Sequence, residues 1–367
     1  MNTKKMRYVW FLVILCIFCL TLFLARTRSK VEMRNRIYHQ WNEHFVVSKG
    51  KESYVRTTND SNQTVVLSEA QSYGMLITVA AAKKGQAQQA DFDRLYQYYL
   101  NHRLEGTQLM SWKQTISNGK AKDEDHNATD GDLYIAYALL KAAQQWPKQA
   151  KDYQAQAKAI LEDILAHNYN EETGVLTVGN WANQDSEFYH LMRTSDTLPA
   201  QFQIFYEVTK DSKWLDIKEK MLQQLQTISS QTKTGLLPDF IWVDEQGTRV
   251  ADPKTIESKY DGAYSYNACR LPYNLVQSKD ATSQKLVKKM LNFFKSQRNL
   301  YAGYDLKGKA LNNHQAASFL APIVYASEHE KGYLKLVQQN KYIFTQDLPL
   351  NNYYDATMTT MIALELF

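Results

Sequence analysis

The 367-residue sequence predicts an all-α protein: a double ring of helices of the (α/α)6 type, preceded by one transmembrane helix. Three observations lead there. Apolar residues recur at i, i+3, i+4 and i+7 in segment after segment. Glycine (14) and proline (7) are scarce, which removes collagen-like, low-complexity and disordered classes and argues against a turn-dense β protein. Tyr8 to Ala25 is a run of 18 residues without a charge, long enough as a helix to cross about 27 Å of hydrocarbon.

Residues 1–7 form a short basic tail. Its Lys4, Lys5 and Arg7 favour an N-terminus inside and a large domain outside the cell membrane. The apolar run, 8–25, ends in Leu24-Ala25-Arg26-Thr27-Arg28 with no small-x-small exit, so an uncleaved signal-anchor is expected rather than a removed signal peptide. A juxtamembrane segment, 26–45, follows. The first 30 residues hold six basic side chains and no acid, so the formal net charge of +5 belongs to the flanks of the anchor. The remainder is close to neutral, and nucleic acid is not an expected partner. Cys16 and Cys19 lie in the apolar run and only Cys269 lies outside it, so the outer domain has no internal disulfide and needs a large core.

Within that domain, 46–367, the helical period marks Ser72–Lys84, Phe92–Asn101, Asp132–Trp146, Tyr153–His167 and Leu198–Val208. It returns at Trp214–Ile228, Ala263–Val276, Ser283–Ser296, Ala316–Ala326 and Ala356–Phe367. Strand-like alternation is confined to Gly174–Val178 and Phe240–Val243. No Pro/Gly/Ser linker divides the chain and no strict repeat is visible, so one domain is expected rather than a solenoid.

Two helix starts carry acids. Thr129-Asp130-Gly131-Asp132 has Thr129 and Asp132 at capping-box spacing, and Ser68-Glu69-Ala70-Gln71 has Ser68 and Gln71 in the same relation. Capping explains one acid at such a start but not both Asp130 and Asp132. Gly131 between them lets another group approach the backbone. A helix N-terminus lowers a carboxyl pKa, whereas a general acid needs it raised. Glu69 therefore serves as an acid only in a dry cleft or beside another carboxylate such as Asp130.

The run ATDGDLYIAYALLKAAQQW, Ala128 to Trp146, resembles the helix motif of glycoside hydrolase family 8 without a departure. Ser68–Met75 resembles the family's SEGQGYGM segment, with Ala70 and Ser72 replacing two glycines. Met110-Ser111-Trp112-Lys113, Ser195-Asp196-Thr197-Leu198-Pro199, Gly235–Phe240 and Ser265–Pro272 are similar to later family segments in the same order. The resemblance implies an (α/α)6 barrel and inverting, endo-acting hydrolysis of a β-linked polysaccharide by two carboxyl groups, without metal or organic cofactor.

By position, the resemblance implies that Glu69 is the general acid and that Asp130 holds the sugar at the cleavage point. Trp112 would stack on a sugar ring and Arg270 would bind near the water side. The family's usual base is an aspartate directly after Tyr266, and here that residue is Asn267. An amide cannot take a proton from water at neutral pH. Three outcomes follow. The base has moved, with Asp239 the first candidate and Asp261 and Glu257 weaker ones; or an N-acetyl group of the substrate takes over part of the work; or the protein is a catalytically impaired glycan-binding component of a surface-polysaccharide assembly.

Trp181, Tyr264 and Tyr301 are further candidates for sugar platforms. The histidines show no HExxH spacing, and Asp123-Glu124-Asp125 reads as a solvated loop rather than a calcium site. No Walker A, dinucleotide glycine loop or GxSxG elbow is present, so no cofactor is expected. The expectation is a single-pass O-glycosyl hydrolase acting on cell-surface or exopolysaccharide near the membrane, with possible neighbours in a polysaccharide synthesis complex.

Overall fold

The computed structural model describes residues 3–58 and 63–367; the first two residues of the basic tail lie outside this range. Twelve α-helices are found among the described residues: α1 (Thr3–Phe45), α2 (Ser68–Lys83), α3 (Gln89–Asn101), α4 (Thr129–Gln145), α5 (Ala150–His167) and α6 (Pro199–Thr209), then α7 (Lys213–Ser230), α8 (Leu271–Val276), α9 (Ala281–Ser296), α10 (Ala317–His329), α11 (Leu334–Asn340) and α12 (Tyr353–Leu366). Helix α2 packs on α4, α6 on α8, α8 on α10, α10 on α12, and α12 back on α2, while α4 meets the Thr194–Asp196 turn that leads into α6, so the even-numbered helices form an inner ring. The odd-numbered helices pack outside them, α3 on α2, α5 on α4, α7 on α6, α9 on α8, α11 on α10 and α1 on α12.

The sequence explains the two layers. Inner helices are buried on nearly all sides: 0% exposure is reached at Leu133, Ile135, Ala136, Ala138 and Leu139 in α4 alone. Outer helices such as α9 bury one stripe, Leu286, Val287, Met290, Leu291 and Phe294, and leave lysines outward. Pro199 and Pro272 sit in the first turns of α6 and α8, where the missing N–H costs nothing.

Helix α1 departs from the expected domain boundaries. It runs without a break from the apolar segment through residues 26–45, which were expected to form a separate juxtamembrane piece. Its last turns are the sixth outer helix of the barrel. Ile37, Tyr38, Trp41 and Phe45 are buried, the Trp41 indole donates to Thr357 Oγ1 at 2.9 Å, and Arg34 donates to the Phe367 carbonyl at 3.0 Å. The apolar window at its other end is not buried at all, so α1 is long and apolar enough to cross a membrane there.

Three small antiparallel sheets fill the loops at one pole. They are β1 (Val46–Lys49) with β2 (Glu52–Val55); β3 (Thr64–Leu67), β4 (Lys113–Ser117) and β5 (Lys120–Asp123); and β6 (Leu191–Arg193), β7 (Phe240–Asp244) and β8 (Gly247–Val250). The short alternation expected at Phe240–Val243 is β7. Gly174–Val178 is not a strand; only Leu176 bridges there, to Tyr169. The helix expected over Ala263–Val276 begins as α8 at Leu271, because the backbone before it turns into the cleft instead.

Both expected capping boxes are absent. Gln71 accepts from the Val55 N–H and donates to the Ser53 and Leu95 carbonyls, tying α2 to β2 and α3. Thr129 donates to the Thr177 carbonyl. Asp132 accepts from the Met110 N–H and from Asn127 Nδ2, both at 2.8 Å, and so pins the strand that leads to Trp112. Gly131 has a steric purpose: a Cβ there would lie 2.1 Å from Ser68 Oγ and 3.0 Å from the Ser68 carbonyl carbon. Gly131→Ala is therefore expected to push the starts of α2 and α4 apart. Overpacking of this kind costs about 1–3 kcal/mol. A lowered melting temperature with a disproportionate loss of hydrolysis, because Glu69 and Asp130 sit on those two starts, is the outcome to check by calorimetry and reducing-end assay.

Candidate active site

The N-termini of α2 and α4, and the turns before α6 and α8, meet at the pole that carries the sheets. Glu69 and Asp130 are the second residues of their helices, so both carboxyls project from the positive ends of adjacent helix dipoles. Between them lies Arg270, at 1% exposure the residue that organises the site. Its Nη1 donates to Glu69 Oε2 at 2.8 Å, to Tyr73 Oη at 3.1 Å and to Asp130 Oδ2 at 3.1 Å. Its Nη2 donates to Ser195 Oγ at 2.8 Å and to Asn267 Oδ1 at 2.9 Å.

The two carboxyls share one arginine but not one protonation state. Burial drives the Glu69 pKa up; Arg270 opposes and the Asp130 charge adds to the rise, leaving it at about 7. Asp130 is also buried, which would raise its pKa, but the charges of Arg193 and then Arg270 outweigh burial and hold it below the ordinary carboxylate value. Arg193 Nη1 lies 3.2 Å from Asp130 Oδ1, and the Gly131 N–H donates to the same oxygen. The result is a pair whose environments push their pKa values apart, Glu69 up to about 7 and Asp130 below the ordinary carboxylate value. Glu69 keeps 20% of its side chain open and Asp130 only 6%, so the group with the raised pKa is the one a substrate can reach.

Asp239, first choice as the base, is placed differently. It is 3% exposed, and its Oδ1 accepts the N–H groups of Ser265, Asn267 and Ala268 at 2.7–3.1 Å. Burial pushes its pKa well above the ordinary carboxylate value. Through Oδ1, Asp239 caps the turn that delivers Asn267 and Arg270, and at 3% exposure it is far less open than Glu257. Asp261 is likewise internal, accepting the N–H groups of Ile256, Glu257 and Ser258. Those three bonds shape the loop that carries Glu257 into the cleft.

Glu257 has 43% of its side chain open. Asn267 Nδ2 donates to its Oε2 at 2.8 Å and Arg193 Nη2 to its Oε1 at 3.2 Å. Asn267 thus joins Arg270 to Glu257, and its amide holds a carboxylate from another loop beside the position where the family's aspartate usually stands.

The rings form a row along the rim. Trp112 stacks on His126 at 5.8 Å and 24°, His126 meets Trp181 edge-on, Trp181 meets Phe188, and Phe188 stacks on Trp242 at 6.3 Å and 14°. The Trp112 carbonyl accepts the Ser68 N–H, one residue from Glu69. Tyr266 is 42% exposed, one of few large apolar side chains that open outside α1 among the described residues. Tyr264, expected as a platform, is fully buried against Phe294 and Phe319. Tyr301 is half-buried against the core. Among the described residues no group of three or more His, Cys, Asp or Glu side chains could hold a metal ion.

Sequence reading did not single out Arg193 or Tyr73 and placed Glu257 behind Asp239; the structure joins all three to the Arg270 cluster. Arg193 had a weak signal, an arginine two residues before the segment Ser195–Pro199 that resembles the family. Glu257 had none, since it reaches the cleft through a loop folded by Asp261.

With Glu69 as proton donor, kcat/KM is expected to fall about tenfold per pH unit above roughly pH 7, because the protonated carboxyl is lost there. The alkaline limb of a pH–rate profile on a soluble glucan checks this.

The family model described as glycosyl hydrolases family 8 matches residues 13–365. A β-glucanase of Niallia circulans is 31% identical over 298 residues, 78% of this chain and 72% of that protein. An endoglucanase of Bacillus sp. (strain KSM-330) is 30% identical over 275 residues, and the chain spans only 58% of its length. The solved apo structure of a β-1,3-1,4-glucanase from Paenibacillus sp. X4 superposes with a TM-score of 0.82 at 25% identity, covering 93% of this chain and 92% of that one. A match that runs across nearly the whole chain, over a cleft built from the matched segments themselves, makes this protein a member of glycoside hydrolase family 8, a glycosidase with an (α/α)6 barrel.

Proposed function

We propose that this protein is a membrane-anchored, endo-acting glycoside hydrolase that cleaves a β-linked glucan-type polysaccharide by single displacement with inversion. One observation carries the proposal: Arg270 holds the buried Glu69 and Asp130 carboxyls together, the first with its pKa raised to about 7 and the second with its pKa lowered, and is joined through Asn267 to the half-open Glu257. Glu69 gives its proton to the glycosidic oxygen as the C1–O bond breaks. Asp130, fixed by Arg193 and Arg270, stabilises the positive charge that builds on the sugar ring. Glu257 takes a proton from a water that attacks C1 from the opposite face, and Asn267 and Arg193 aim it. The acid and base recover their starting states by exchange with solvent. Inverting pairs stand roughly 6.5–9.5 Å apart to leave room for that water.

Trp112, Trp181 and Tyr266 supply ring faces for sugars, and the row that continues through Phe188 to Trp242 gives the cleft the length of several units, which suits a polymer. The glucanase names of the relatives support the substrate class. The exposed apolar end of α1 supports the anchor, and confinement to a membrane suits a cell-surface or exopolysaccharide. Incubation of the purified protein with β-1,4-, β-1,3-1,4- and surface-derived glycans, with proton NMR of the first product, tests the reading. Appearance of the α-anomer from a β-linked chain is expected. First formation of the β-anomer would overturn inversion, and binding without turnover across the panel would establish a glycan-binding subunit instead.

A further inference from the structure

Helix α1 is both the apolar span and an outer wall of the barrel, with no break between the two. It lies antiparallel to α12: Phe45 packs edge-on against Tyr353 at the start of α12, and Arg34 binds the Phe367 carbonyl at its end. Helices α2, α4 and α12 all begin at the cleft pole. The membrane end of α1 therefore leaves the barrel at the opposite pole. That pole holds a pocket of about 400 Å³ lined by Lys83, Lys84, Lys141, Tyr137 and Glu365, with Lys83 and Lys84 exposed at the end of α2.

We propose that the pole opposite the cleft is a membrane-facing surface seated over anionic lipid headgroups, so that the active site is held at a fixed height and faces away from the bilayer. The inference rests on the anchor reading above and adds orientation to it. Nine residues separate Ala25 from Arg34, a rise of about 14 Å, and twenty separate Ala25 from Phe45, about 30 Å. A headgroup layer takes up roughly 5–8 Å of the first interval. The lysine-bearing pole is left within about one Debye length of the lipid charges, close enough to be attracted. A glycan held at the bilayer surface reaches the cleft only after its chain has risen about 30 Å, the length of the intervening helix. Substrate must then be a polymer long enough to reach that height, rather than a short lipid-linked sugar.

The full chain, with Cys16 and Cys19 replaced by serine and one cysteine introduced by Lys148→Cys or Lys120→Cys, is labelled with a thiol-reactive fluorophore. Lys148 lies in the connection from α4 to α5 at the far pole, and Lys120 is the first residue of β5, just after the turn from β4, at the cleft pole. Reconstitution into phosphatidylglycerol/phosphatidylcholine vesicles carrying a headgroup spin label is expected to quench position 148 at least threefold more than position 120. A ten-residue Gly-Ser insertion after Arg28 is expected to erase that difference. Lys83→Glu/Lys84→Glu is expected to reduce quenching at 148 in these vesicles but not in pure phosphatidylcholine. Equal or reversed quenching overturns the orientation, and an unchanged double variant overturns the lipid contact. Failure of the chain to float with vesicles overturns the anchor itself, and hydrolysis of soluble glucan reports separately on the catalytic reading.

Discussion

Glu69→Gln and Glu257→Gln are each expected to lower hydrolysis of a β-glucan by about 10²–10⁴-fold, the usual contribution of a positioned acid or base. The two losses differ in kind. A leaving group that departs without a proton, such as a nitrophenolate, makes the acid dispensable and leaves the need for a base. An aryl β-glycoside should therefore restore most of the rate to Glu69→Gln and little to Glu257→Gln. The alkaline limb near pH 7 should vanish in Glu69→Gln, since its cause is gone. Asp239→Asn provides the contrast. Its amide oxygen still accepts the three N–H groups that Oδ1 now takes, so a loss below about tenfold is expected, well short of a removed base. A loss in Asp239→Asn equal to that in Glu257→Gln would return the base to Asp239.

The contrast shows where sequence reading stops. Glu69, Asp130 and Arg270 were legible because each lies in a continuous motif whose local helix or turn sets its direction. The barrel was legible because periodicity survives in ten segments, although the inner helices are apolar nearly all round and show it least. The residue we propose as the base was not legible. Glu257 depends on Asp261 folding a loop, on Asn267 from another segment, and on Arg193 from a third, and no spacing along the chain encodes that convergence. Asp239 was ambiguous for a related reason: a carboxylate in a matched segment serves catalysis or capping equally well until its partners are known, and its Oδ1 takes three backbone N–H groups. The capping boxes failed in the same way, because tertiary partners such as Val55, Met110 and Asn127 took the side chains that local spacing had assigned to the helix ends. The extent of α1 was hidden by its polar residues 26–36, which separate the apolar run from the buried stripe at Ile37, Tyr38, Trp41 and Phe45.

Arg270→Lys is expected to do more damage than a change conserving charge usually does. Five acceptors surround the guanidinium, and its two Nη atoms reach apart, one to Glu69, Tyr73 and Asp130 and the other to Ser195 and Asn267. An ammonium is a single point and cannot make that fork. Hydrogen bonds to a charged group are worth about 1.5–3 kcal/mol each and the shorter ammonium leaves at least two of these unmade, so a melting temperature lower by on the order of 10 °C is expected. A structural role alone would end there. The sign of the electrostatics adds a readout that stability does not move. Arg270 lowers the Glu69 pKa against burial, so weakening that contact should carry the alkaline limb above pH 7, while Arg193 keeps Asp130 ionised. Plateau kcat should fall about 10²-fold or more, because Glu69 loses its aim and Asn267 loses the donor that orients it toward Glu257. KM should change less, since the rim rings are untouched. An alkaline limb that stays near pH 7 in Arg270→Lys, with kcat reduced only in proportion to the folded fraction, would show that the group titrating there is not the carboxyl this arginine holds.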